Sequence, residues 1–235
     1  GMSVINFGIS FILSHNPLIT AEQIDIAPDG TSSFEMLTPA GKFPVSLKIP
    51  GYHNISNALA ATSSAFALTD SISQMSLDEI KYGLEHFEPS PMRMQTFTHQ
   101  QITFINDAYN ANPASMKSAL DTLCSMACQG KKIAILGDML ELGRLSQAEH
   151  YRVGTLAACI PVDRLFLFGE YADDVACGAR KSGMNPKHIV MGTSHNQLAE
   201  EVRHHLKAGD LVLCKASRGM KMELVLEGIL KLLSV

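Results

Sequence analysis

At 235 residues and 46% hydrophobic composition, the chain is long enough to bury one or two cores, and two domains are expected from its length. Its net charge of -4 is spread over both signs without a basic stripe, which excludes nucleic acid and a charged membrane surface as expected partners. No apolar run reaches membrane-spanning length and no charged head with an apolar stretch marks a secretion signal, so a soluble, globular, cytoplasmic protein is expected.

In chain order, short β-like runs come first, at 4–7, 23–27, 33–37 and 45–49, separated by Gly and Pro breaks. They read as sheet with hairpins. After Gly51 an alanine-rich helix is expected over 54–68, and Ser76 suits the cap of a second helix through Leu77, Ile80 and Leu84. Glu88-Pro89-Ser90-Pro91 breaks that helix, which sets the expected domain boundary between 1–88 and 89–235.

From residue 102 the pattern alternates regularly: strand 102–105, helix 114–126, strand 132–136, helix 147–159, strand 164–168, helix 172–181, strand 188–190, helix 196–206, strand 211–214 and helix 222–233. The alternation predicts an α/β fold with a mostly parallel sheet and helices on both faces. No dinucleotide fingerprint is present, because Gly137 and Gly143 have the wrong spacing for GxGxxG. The five cysteines, Cys124, Cys128, Cys159, Cys177 and Cys214, lack the two-residue spacing of a zinc or redox site and read as reduced thiols.

Four segments carry candidate chemistry. Asn106-Asp107-Ala108-Tyr109-Asn110-Ala111-Asn112-Pro113 follows an apolar strand and precedes a helix, the position where open α/β sheets hold ligands. Its alternative is a capped loop in which Asn112 serves the helix. In Gly51-Tyr52-His53-Asn54-Ile55-Ser56-Asn57 the two carboxamides of Asn54 and Asn57 share one helix face and suit a base edge, with capping by Asn54 as the alternative. Gly137-Asp138-Met139-Leu140-Glu141-Leu142-Gly143 sets two acids at a strand end, for an ammonium group or a metal, unless Asp138 accepts backbone hydrogen bonds instead. Nearby His150 reads more readily as a surface or core histidine than as a ligand. Lys215-Ala216-Ser217-Arg218-Gly219 fits an anionic ligand or a basic solvated turn. Arg93 by itself is an isolated surface cation.

Together these segments resemble the Mur ligase family, ATP-dependent enzymes that add amino acids to the bacterial cell-wall precursor. The HNxxN word at His53 to Asn57 is shared across that family. The words DxYNANPxSM, from Asp107 to Met116, and LGDMxELG, from Leu136 to Gly143, resemble the D-alanyl-D-alanine-adding branch. The resemblance implies a Rossmann-like C-terminal domain at 89–235, preceded at 1–88 by the C-terminal part of the ATP-binding central domain. It implies ATP and Mg2+ as cofactors, with UDP-N-acetylmuramoyl-tripeptide and D-alanyl-D-alanine as substrates. By the same resemblance Asn54 and Asn57 would contact adenine, Arg93 would reach the phosphates as the catalytic cation, and Asp107 would bind the ribose. Tyr109, Asn110, Asn112, Asp138, Ser217 and Arg218 would face the incoming dipeptide.

Three departures stand out: Met92 where glycine usually precedes the arginine, Ala108 where serine is common, and Ala216 where glycine is usual. Ala216 is expected to narrow the approach of a ligand to the backbone. The glycine-rich phosphate loop, the magnesium-holding acid and histidine, the modified lysine and the N-terminal nucleotide-sugar domain have no counterpart in the sequence. With Gly1-Met2 reading as a tag-cleavage remnant, a truncated C-terminal piece of a longer enzyme is expected, without ligase activity of its own and missing the N-terminal half as its partner. The competing readings are a diaminopimelate- or lysine-adding relative, and a non-catalytic nucleotide- or amino-acid-binding module.

Overall fold

Alternation of buried and exposed side chains shapes the sheet of the first part. β3 (Ser32–Thr38) and β4 (Gly41–Leu47) pair antiparallel, with Phe34, Met36, Phe43, Val45 and Leu47 all turned inward. β2 (Ile19–Ile26) is antiparallel to β3, and β1 (Phe7–Ile9) is parallel to β2, giving the order β1-β2-β3-β4. The computed structural model describes residues 7–9, 18–68 and 76–234, so positions 4–6 of the first expected strand lie outside the described residues. The chain divides into two compact units, 1–88 and 89–235.

In the first unit Gly51 adopts φ 115°, a turn open to glycine, and delivers the chain into α1 (His53–Leu68). Ser76 and Glu79 form a reciprocal capping box that starts α2 (Leu77–Glu85): the Ser76 hydroxyl accepts from the Glu79 amide and the Glu79 carboxylate accepts from the Ser76 amide. Ile55, Ala58 and Leu59 of α1 and Ile80 of α2 close the core over the inward face of the sheet.

The second unit is a six-stranded sheet in the order β5-β6-β10-β7-β8-β9. Its strands are β5 (Gln95–His99), β6 (Ile102–Asp107), β7 (Lys132–Gly137), β8 (Arg164–Phe168), β9 (Ile189–Met191) and β10 (Leu211–Lys215). All pair in parallel except β5, which is antiparallel to β6. The expected parallel sheet is therefore present, and β5 is an addition to it. β5 was not expected because its sequence, Gln-Thr-Phe-Thr-His, has a single apolar residue. Its hairpin turn is also unmarked: Gln100 and Gln101 take φ 47° and 61° without the Asn or Gly that usually signals such a turn.

The connecting helices are α3 (Pro113–Ser125), α4 (Ser146–Cys159), α5 (Ala172–Lys181), α6 (His195–His205) and α7 (Glu223–Leu233). One face of the sheet, carrying Phe104, Ile133, Ile135, Phe166, Val212 and Cys214, packs on α6 and α7 through Leu198, Val202, Val225 and Ile229. Side chains of the alternate parity, such as Ile105, Leu136, Leu165 and Leu213, point to the opposite face, which belongs to α3, α4 and α5. Burial drives the Cys214 thiol pKa upward, so this thiol stays protonated in the core.

α4 and α5 approach each other backbone to backbone. A Cβ on Gly154 would run into the Val175 carbonyl, and one on Gly178 into the Tyr151 carbonyl. Gly154→Ala is therefore expected to destabilise the chain by about 1–3 kcal/mol despite its gain in helix propensity, as overpacking does. Denaturant unfolding of the two proteins checks this, and an unchanged midpoint would show that the helices separate freely.

Candidate functional site

β6, β10 and β7 lie side by side at the middle of the second unit's sheet, and their registers set Lys215 beside both Asp107 and Leu136. The polar words of the sequence meet at these carboxyl ends. Lys215 is 2% exposed, so its ammonium has lost its water and needs protein acceptors. It donates to Asp107 Oδ2 at 2.5 Å and to the Asn110 carbonyl at 3.0 Å. Asp107 Oδ1 accepts from the Met94 amide at 3.0 Å. One buried ion pair thus joins the end of β10, the end of β6 and the segment leading into β5.

Ser217 makes the next junction. Its amide donates to the Asp138 carbonyl at 3.0 Å, while its hydroxyl donates to the Ala111 carbonyl at 3.3 Å and accepts from the Leu140 amide at 2.9 Å. The loops after β6, β7 and β10 are therefore tied together by one hydroxymethyl group.

Asp138 is 4% exposed, and its carboxylate accepts from the amides of Glu170 at 2.7 Å and Tyr171 at 3.2 Å. Burial raises its pKa, and the two amide donors work against that rise. A Cβ on Gly169 would collide with this carboxylate, so the loop after β8 closes tightly over it. His150 accepts from the Met139 amide through Nε2 at 2.9 Å and so donates through Nδ1 to the Ser146 carbonyl at 2.6 Å. In that tautomer Nε2 carries no proton, and its 3.8 Å separation from Asp138 is not an ion pair. The alternative readings of Asp138 as a loop anchor and His150 as a core histidine describe what these side chains do.

Asn112 caps α3, accepting from the Ser115 amide at 2.9 Å while the Ser115 hydroxyl accepts from the Asn112 amide at 3.0 Å. Asn110 bonds through its side chain to the Ala111 amide and through its carbonyl to Lys215. Arg218 is half exposed and pairs with Glu223 at 2.6 Å. The Arg93 guanidinium lies 4.1 Å from the centre of the Tyr109 ring. Of the expected dipeptide contacts, Tyr109, Asn110, Asn112 and Arg218 are exposed, whereas Asp138 and Ser217 are buried braces.

Asn54 and Asn57 belong to the first unit. Asn57 donates to Asn54 Oδ1 at 2.9 Å and Asn54 donates to the Pro50 carbonyl at 3.0 Å. Both line a cavity of about 550 Å3 whose walls include Ala58, Ala61, Ile80 and Phe87. Largely apolar walls with two carboxamides, Lys48 and Glu79 among the lining suit a flat, partly polar ligand.

The three departures each have a structural account. Met92 adopts φ 60°, a conformation that suits glycine. Ala108 is fully buried in the α6 and α7 face of the core, where a methyl packs without an unpaired hydroxyl. Ala216 is also buried there, and its methyl stands against Gly137, so it does not narrow any open approach as the sequence suggested. Lys215 is the residue that sequence reasoning undervalued. Its signal was a charge ending an apolar strand, but its partner is fixed only by strand order.

Charged and polar groups gathered at the carboxyl ends of adjacent parallel strands are the arrangement of an open α/β domain, in which such ends are where ligands are held. The family model described as Mur ligase, glutamate ligase domain, matches residues 92–218, more than half of the chain. The chain belongs to the Mur ligase family. It is 34% identical over 188 residues to the UDP-N-acetylmuramoyl-tripeptide--D-alanyl-D-alanine ligase of Bacillus subtilis, covering 79% of this chain and 39% of that protein. The corresponding Escherichia coli ligase is 37% identical over 164 residues, 68% of this chain and 34% of that protein. The crystal structure of MurF from Acinetobacter baumannii superposes with a TM-score of 0.82 at 27% identity, covering 97% of this chain and 46% of that one. The chain spans about two fifths of the length of the curated relatives it matches.

Three substitutions test this geometry. Lys215→Met leaves the Asp107 carboxylate facing an apolar side chain, and a loss of about 3 kcal/mol is expected in denaturant unfolding, partly recovered in the double variant with Asp107→Asn. Equal losses in the single and double variants would contradict the pairing. Met92→Gly removes a left-handed side chain and is expected to stabilise by about 0.5–1 kcal/mol, read as a higher unfolding midpoint.

Proposed function

We propose that this chain is the C-terminal part of an ATP-dependent ligase that joins D-alanyl-D-alanine to UDP-N-acetylmuramoyl-tripeptide in the cytoplasm. The observation that carries the reading is the cross-linked set of strand-end loops around Lys215 and Ser217, which contains both sequence words typical of the D-alanyl-D-alanine-adding branch. The names of the curated relatives support the same choice of acceptor over the diaminopimelate- or lysine-adding alternatives.

The reaction is carboxylate activation. ATP phosphorylates the terminal carboxylate of the tripeptide, and the amine of the dipeptide then attacks the acyl phosphate, forming the amide and releasing phosphate. In the first unit, Asn54 and Asn57 offer donors and an acceptor to an adenine edge. In the second unit, Arg93 presents a cation for phosphoryl charge, and Asp107 has its carboxylate fixed for a ribose hydroxyl. Tyr109 and Arg218 are open to an acceptor, while Asn110, Asn112, Asp138 and Ser217 hold the loops that would receive it. Rigid loops of this kind serve positioning, from which much of such a rate enhancement comes.

Among the described residues there is no group of three or more His, Cys, Asp or Glu side chains placed to hold a metal. No residue of this chain is assigned to Mg2+.

The test compares this chain with a protein that continues upstream into a phosphate loop. The longer protein is expected to release phosphate from ATP only with UDP-N-acetylmuramoyl-tripeptide and D-alanyl-D-alanine together, and this chain alone is expected to release none. Preference for diaminopimelate or lysine as acceptor would overturn the choice of substrate. Phosphate release by the chain alone would overturn its status as a part.

A further inference from the structure

We propose that Tyr109 is the positioning residue for Arg93, holding the guanidinium by its face so that its N–H edge is ready for a phosphate-class anion. The proposal rests on the reading of Arg93 as the phosphate-facing cation of a Mur-type ligase, and it moves Tyr109 from dipeptide contact to that support.

Three observations meet at this pair. First, the guanidinium carbon stands 4.1 Å from the ring centre, within stacking range, and Tyr109 is 40% exposed. A guanidinium stacked by its face keeps all five N–H donors in the free plane. Second, Arg93 is exposed and its side chain has no carboxylate or hydrogen-bond acceptor among the described residues, whereas Arg218 is already paired with Glu223. Third, the backbone around Arg93 is sewn to the loop that carries Tyr109. The Tyr109 amide donates to the Met92 carbonyl at 3.1 Å, the Met94 amide donates to Asp107 at 3.0 Å, and the Arg93 amide donates to the Ser90 carbonyl at 3.2 Å. Met92 and Met94, on either side of Arg93, both take left-handed backbone, φ 60° and 48°. Such strain persists only where surrounding contacts over-determine the conformation. A long flexible arginine thus starts from a fixed root and rests on a fixed ring, which lowers the ordering cost of binding an anion.

The experiment uses the 15N-labelled chain, with the Arg93 Nε–Hε resonance assigned through its loss in Arg93→Gln. That resonance is expected to be shifted upfield by the ring, to stay shifted in Tyr109→Phe, and to move to the exposed-arginine position in Tyr109→Leu. Titration with inorganic triphosphate is expected to be unchanged within about twofold for Tyr109→Phe and about two- to fivefold weaker for Tyr109→Leu and for Arg93→Lys, which keeps charge but has no planar face. Unaltered melting temperatures separate these effects from misfolding. An unshifted Hε in the parent chain, or a Tyr109→Phe variant as impaired as Tyr109→Leu, would overturn the proposal. So would parent-like triphosphate affinity in Tyr109→Leu when Arg93→Gln abolishes binding. If Arg93→Gln leaves triphosphate affinity unchanged while the Hε shift still follows the ring, the stack stands and the phosphate role of Arg93 falls.

Discussion

The buried contact between Lys215 and Asp107 is the constraint on which the second unit's open end depends. A lysine with no access to water is costly unless its charge is matched and its remaining protons are used. Here one proton goes to a carboxylate and another to a backbone carbonyl, and the carboxylate is itself fixed by a backbone amide. The pair therefore does more than join two strands. It dictates where the Asn110 carbonyl sits and where Met94 sits, and through them the loops on either side of β6.

Ser217 extends the same logic. A hydroxyl can donate once and accept twice, and this one donates to the loop after β6 and accepts from the loop after β7. Asp138 then carries the network to the loop after β8 through two backbone amides. Four loops from four strands are consequently held by three charged groups, Lys215, Asp107 and Asp138, and the Ser217 hydroxyl. Lateral rigidity at the strand ends comes from these side chains, because the sheet's own hydrogen bonds stop at Lys215, Asp107 and Gly137.

Most of the architecture was legible in the sequence, because β-branched runs and helical periodicity alternate cleanly from residue 102 onward and burial follows them. What escaped has specific physical causes. β5 is polar at four of five positions, and its turn uses two glutamines in a conformation that sequence signals reserve for Asn and Gly. Asp107 to Asn112, Asp138, Ser217 and Arg218 were legible in the sequence as strand-end loops, and capping by Asn112 and backbone bonding by Asp138 stood there as alternatives to ligand contact, but local sequence could not choose between the two. Asn112 and Asp138 look like ligand groups in one dimension; in three they satisfy backbone donors. Ala216 looked like an obstruction to a ligand, yet strand parity turns its methyl into the core against Gly137. Strand parity and neighbour order decide such cases, and neither is written in a local motif.

Division of labour among the polar residues follows from burial. Groups that are buried and bonded to two or more partners, such as Lys215, Asp138 and Ser217, change partners only at a large cost. Groups that are exposed and incompletely bonded, such as Arg93, Tyr109 and Arg218, can exchange water for a ligand at little cost. A motif rich in Asp, Asn and Tyr is therefore a mixture: its inner members hold the loops, and its outer members meet whatever binds. Left-handed backbone on both sides of Arg93 belongs to the same scheme. Asp107 holds the strained backbone at Met94 and the Tyr109 amide holds it at Met92, and the outer arginine benefits from both.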